Sequence, residues 1–148
     1  MTNPFCFDEI QEGQTFKTAE FLISTEKIKQ FAMEFDPQPM HLDEDAAKSG
    51  PFGRLVASGW HTLNQTMRLI VDLRPFGSHQ LVGVAVDSIQ FQNPVEPETT
   101  IVASARIISK RRSPKGRKGF VKMQVETRDA ATDELLVTQI WTVMVPTD

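Results

Sequence analysis

Asp36 and His41 are the two side chains in this sequence best suited to moving a proton between them. They stand five positions apart in the run Asp36-Pro37-Gln38-Pro39-Met40-His41. A carboxylate can hold or relay a proton, and an imidazole of ordinary basicity can take one from water near neutral pH. Fully extended, five residues span up to ~17 Å, so the two groups meet only where the chain curls. Pro37 and Pro39 restrict φ at two positions and favour a rigid, curled segment. The same run also reads as a plain helix stop, because Asp before Pro commonly bonds neighbouring amides in a turn. In that reading His41 is structural. Spacing alone leaves both possibilities open.

Composition removes several other chemistries. The chain has 148 residues with one cysteine and three histidines, His41, His61 and His79. A lone cysteine forbids an internal disulfide and any multi-cysteine zinc or iron–sulfur site. The histidine spacings fit no compact metal motif, so no metal is expected. Cys6 has no activating neighbour in sequence and reads as a packed thiol. Lys plus Arg number 16 against 19 Asp plus Glu, a net charge of −3. That balance is poor for general nucleic-acid binding. No apolar run approaches a membrane span. The start of the chain has neither a basic region nor an apolar stretch, so no secretory leader and a cytoplasmic location are expected.

The elements that must hold the pair can be read from periodicity. A length of 148 residues suits one domain, residues 1–148. Residues 16–23 suit an opening strand. Ser24-Thr25-Glu26 is a helix start, and Ile28, Phe31, Ala32 and Phe35 repeat on one helical face. Pro37 stops that helix, leaving Asp36 and His41 in a loop. Asp43 can cap a short helix through Ala47. A long helix is expected over 57–74, with Trp60, Leu63, Met67, Ile70 and Arg74 in one stripe. The second half is β: 81–91, 101–108, 120–127 and 135–145. Four strands with short connections suggest an antiparallel meander lying against the long helix. The fold class is α+β, helix on sheet.

Four segments resemble one known family when taken together. Phe35-Asp36-Pro37-Gln38-Pro39-Met40-His41 is similar to the Gly-Asp-x-Asn-Pro-aliphatic-His motif of MaoC-like proteins, the (R)-specific enoyl-CoA hydratases. Asp43-Glu44-Asp45-Ala46-Ala47 resembles the short helix that follows. Phe52-Gly53-Arg54-Leu55-Val56-Ala57-Ser58-Gly59-Trp60 resembles the entry to the central helix. Phe91-Gln92-Asn93-Pro94-Val95-Glu96-Pro97 resembles the Phe-x-x-Pro-Val-x-Pro strand end. The resemblance implies a hot-dog fold, an antiparallel sheet wrapped round a long helix, usually in a homodimer.

It also implies hydration of trans-2-enoyl thioesters, or the reverse dehydration. The thioester of CoA or an acyl-carrier protein is the substrate, and no cofactor is needed. On this resemblance Asp36 and His41 hold the water, and the Gly59 N–H polarises the thioester carbonyl. Three positions depart from the family pattern: Phe35 for Gly, Gln38 for Asn and Ser58 for His. Gln38 and Ser58 are expected beside the substrate. Trp60 and Met67 either line an acyl tunnel or belong to the core. His61 reads as a solvent or interface residue, and His79 as structural or surface. Arg111 and Arg112, with Lys110, Lys115, Arg117 and Lys118, form a basic cluster. It is either a solvated hairpin tip or a phosphate contact for CoA or a phosphopantetheine arm. Two rival functions are a non-catalytic acyl-thioester binding module and a thioesterase. The second lacks its usual acid, since residues 57–71 carry none.

Overall fold

The computed structural model describes residues 6–147; the expectation about a leader, where it rests on residues 1–5, lies outside them. After a 3₁₀ turn at Phe7–Glu9 come strand β1 (Thr15–Ile23) and helices α1 (Thr25–Phe35), α2 (Pro39–Leu42), α3 (Glu44–Lys48) and α4 (Gly59–Leu73). Strands β2 (Val82–Phe91), β3 (Thr99–Arg112), β4 (Lys118–Asp129) and β5 (Leu135–Pro146) complete the chain. They form one antiparallel sheet in the order β1-β3-β4-β5-β2. The sheet wraps α4, which is the hot-dog arrangement.

The four-strand meander is therefore corrected. β3, β4 and β5 do form one, but β2 pairs with β5 and not with β3. Residues 92–98 carry the chain across the end of the sheet instead of turning a hairpin. Three strand spacings amount to roughly 14 Å, within reach of seven extended residues, roughly 23 Å. Pro94 and Pro97 keep this crossover extended. Ala57 N–H donates to the Val95 carbonyl (2.8 Å), so the crossover lies against the entry to α4. The same bond explains why α4 begins at Gly59 and not at 57: Ala57 and Ser58 are still extended.

The inner sheet face carries Ile101, Ala103, Ala105 and Ile107 from β3, Val121, Met123 and Val125 from β4, and Val137, Trp141 and Val143 from β5, all buried. Apart from the adjacent buried pair Leu136 and Val137, they alternate with less buried residues, the period of a half-buried strand. α4 answers with Leu63, Leu69 and Ile70. Its buried arc also includes His61, Thr62 and Thr66. Trp60 and Met67 are 60% and 50% exposed, so neither belongs to the core. The apolar stripe assigned from sequence is rotated by about one residue, because three of the buried positions are polar.

The buried hydroxyls of Thr66 and Thr127 bond each other at 2.7 Å across the helix–sheet interface. Replacing either threonine by valine leaves its partner buried and unpaired, which costs about 1–3 kcal/mol. Replacing both removes the pair at once. Chemical denaturation of the two single variants and the double variant is expected to show a double-variant loss smaller than the sum of the single losses.

Candidate functional site

α1 stops at Asp36 because the residue before a proline is pushed out of helical geometry; Asp36 has φ −149° and ψ 66°. The chain then turns at once. Gln38 N–H donates to the Asp36 carbonyl at 2.7 Å, and Pro39 opens α2 at a position where a proline needs no amide partner. His41 thus stands on a short helix and not in the loop expected from sequence. This one turn is the curl that lets the two side chains meet. His41 Nε2 lies 3.4 Å from Asp36 Oδ2.

Each member of the pair is held by further contacts. His41 is buried, and its Nδ1 lies 2.7 Å from the Val56 carbonyl. A carbonyl only accepts, so Nδ1 carries a proton and Nε2 is the nitrogen turned toward Asp36. The Asp36 carboxylate accepts from Gln38 Nε2 at 2.6 Å on Oδ1 and from Ser58 Oγ at 2.7 Å on Oδ2. These two bonds, Gln38 first, hold its carboxyl below the usual aspartate range. Partial burial opposes them and His41 adds a smaller favourable pull. Asp36 is therefore an anion at neutral pH, and it faces His41 Nε2 across a gap suited to one shared proton.

Ser58 occupies the N-cap position of α4, yet its side chain makes no cap bond to the helix. Its hydroxyl is committed to Asp36. Among the described residues the N–H groups of Gly59 and Trp60 have no partner, while His61 and Thr62 N–H reach the Ser58 carbonyl. The open amides sit at the positive end of α4. A Cβ at Gly59 would overlap the Phe91 ring where it now stands.

These groups converge on a cavity of about 410 Å³. Asp36, His41, Gly59 and Trp60 line it, with Phe91 and Asn93 from the crossover side. A volume of this size suits a small organic group. The arrangement offers a base, an anionic proton relay and two convergent N–H donors, a set suited to adding a proton and a hydroxyl beside an activated carbonyl. Among the described residues no three His, Cys, Asp or Glu side chains are placed to hold a metal ion.

A family profile described as MaoC like domain matches residues 9–129. The chain belongs to the MaoC-like family. It is 35% identical to the uncharacterized protein YdeM of Bacillus subtilis over 103 residues, 70% of this chain and 73% of that protein. A MaoC-like dehydratase from Rhodospirillum rubrum superposes with a TM-score of 0.90 at 31% identity, covering 97% of each chain. An (R)-hydratase from Pseudomonas aeruginosa superposes at 0.77 with 19% identity, over 98% of this chain and 88% of its own, a likeness of fold.

The MaoC-like chain brings Asp36, Gln38, His41, Gly59 and Trp60 to one cavity, and Ser58 to its carboxylate. It does not bring Arg111 and Arg112 there. They lie at the far end of β3, where Arg112 pairs with Asp8 at 2.5 Å and Arg111 sits 4.3 Å over the Phe120 ring. His61 is buried and stacked on Phe31 at 4.9 Å, not at the surface, and desolvation lowers its pKa. His79 is half-buried beyond the far end of α4. The Val56 carbonyl, Thr62 and Phe91 were not singled out from sequence. Phe91 alone had a signal, since it opens the crossover motif. No helix among the described residues is long and apolar enough to cross a membrane.

The bond from Ser58 makes a direct prediction. Ser58→Ala raises the Asp36 pKa toward the ordinary value of about 3.9, and a carboxyl-carbon NMR titration reads this. The stabilisation is present above that ordinary value and is lost as pH falls through the depressed folded pKa. The variant is thus expected to be less stable than the parent near neutral pH, with the difference shrinking as the pH is lowered past the Asp36 titration.

Proposed function

We propose that this protein hydrates trans-2-enoyl thioesters, or runs the reverse dehydration, on a CoA or acyl-carrier substrate and without a cofactor. One observation carries the reading. An ionised carboxylate and an imidazole nitrogen face each other at 3.4 Å on a cavity wall that also presents the open amides of α4. In the forward direction the thioester carbonyl rests on the Gly59 N–H. His41 Nε2 takes a proton from water as the oxygen bonds to the β-carbon, and electron density moves to the carbonyl oxygen. Unpaired helix amides stabilise that developing enolate. The proton then passes from Nε2 by way of Asp36 Oδ2 to the α-carbon. His41 ends neutral and Asp36 ionised, so the site returns to its starting state.

A homodimer is part of the proposal. β2 is open along its whole length and carries Val82, Val84, Val86, Ile89 and Phe91. An unpaired apolar edge of this kind calls for cover, and a second copy would supply it by edge-to-edge pairing. A phosphate contact from Arg111 or Arg112 would then have to reach the neighbouring subunit's site.

Purified protein with trans-2-enoyl-CoAs of several chain lengths is expected to lose the enoyl absorbance. Tight binding without turnover at any length would instead make it a binding module. Release of free thiol would make it a thioesterase, although the one acid on α4, Asp72, is paired with Arg68 at 2.8 Å.

A further inference from the structure

A second cavity of about 340 Å³ adjoins the first, with Trp60 lining both. It lies between α4 and strands β2 and β5. Leu63, Met67, Val86, Ile89 and Trp141 make most of it apolar, as an acyl chain requires. Three lining residues are polar, Asn64, Gln139 and Thr142, and of these Gln139 alone is buried. Gln139 is 4% exposed, and its amide nitrogen has no hydrogen-bond partner in the protein. Its orientation is fixed. The Trp141 indole N–H donates to Gln139 Oε1 at 2.9 Å. An indole can only donate, so the oxygen end of the amide must face it and the two N–H donors must point elsewhere. A buried amide nitrogen left unpaired costs more than an aliphatic side chain of the same size.

Val137 lines the first cavity, and Gln139 is the next residue on the same face of β5. That places the amide roughly 7 Å further along the strand. The lining of the second cavity contains no Lys, Arg or His, so a buried carboxylate would lack a counter-charge. We propose that Gln139 makes this cavity selective for acyl chains carrying a neutral oxygen acceptor, a hydroxyl or keto group, several carbons beyond the reacting double bond. This rests on the acyl-thioester reading of the first cavity and names its substrate class.

The test compares trans-2-octenoyl-CoA with the same chain bearing a hydroxyl or keto oxygen near its far end. Turnover is measured on these, and binding on the saturated analogues. The parent protein is expected to favour the oxygenated chain by roughly tenfold or more in kcat/KM and in affinity. Gln139→Met should bring the ratio close to one while plain-chain turnover persists. Trp141→Phe, which leaves Gln139 but frees its amide to turn, should also lower the ratio and serves if the first variant does not fold. A parent ratio near one, with turnover intact, overturns the inference and leaves the hydratase reading standing. A ratio that survives both variants overturns it equally. An oxygen preference in binding with no turnover of any enoyl thioester sinks the hydratase reading alone. No binding of either chain overturns both.

Discussion

His41→Ala lowers kcat for enoyl-thioester hydration by about 10²–10⁴, and Asp36→Asn produces a loss of similar order. The two effects have different origins. Alanine at 41 removes the nitrogen that accepts the water proton. Asparagine at 36 keeps the shape but removes the anion, and its amide can no longer pass a proton to the α-carbon. Its amide nitrogen must also take the place of an oxygen that now accepts from Gln38 or from Ser58. Because both residues move the same proton, the double variant should lose little more than the worse single one. Stopped assays on the four proteins read this directly. A double loss equal to the product of the single losses would mean independent roles and would contradict the relay.

Gly59→Pro is expected to have the second largest effect, a further 10²–10³ in kcat relative to Gly59→Ala. The comparison isolates one N–H group. Gly59 is the first helical residue of α4, the position where proline is best tolerated. Ser58, with φ −59° and ψ 136°, already has the extended geometry a following proline demands. Both variants add a Cβ that meets the Phe91 ring. That ring is 54% exposed and can swing aside, so alanine should cost little beyond repositioning. Only proline deletes the donor. Equal kcat in the two variants would remove the Gly59 amide from the mechanism.

Much of this site was legible because its key groups are close in sequence. Asp36, Gln38 and His41 lie within a single turn, and Ser58, Gly59 and Trp60 at one helix start. A short motif records such local geometry well. The fold class was legible too, since strand alternation in β4 and β5 follows directly from burial. What escaped depends on long-range packing. The Val56 carbonyl reaches His41 across fifteen positions and leaves no side-chain signature. The pairing of β2 with β5 is set by a crossover whose prolines mark it as extended but not where it leads. On α4, Trp60 and Met67 were assigned to the stripe by hydrophobicity, whereas Thr62, Thr66 and His61 are the buried residues. Thr66 is buried there because Thr127 on the sheet supplies its partner, and composition alone cannot reveal a partner on another element.

The turning of Ser58 toward Asp36 has one more consequence. α4 starts without the side-chain cap that a serine at this place ordinarily gives, a deficit of about 1 kcal/mol. Selection for heat resistance at position 58 would reward any side chain that folds back onto the bare amides. Each such gain would close the surface on which an oxygen anion can rest. Thermal robustness and turnover therefore compete at a single residue, and a variant improved in one is expected to be poorer in the other.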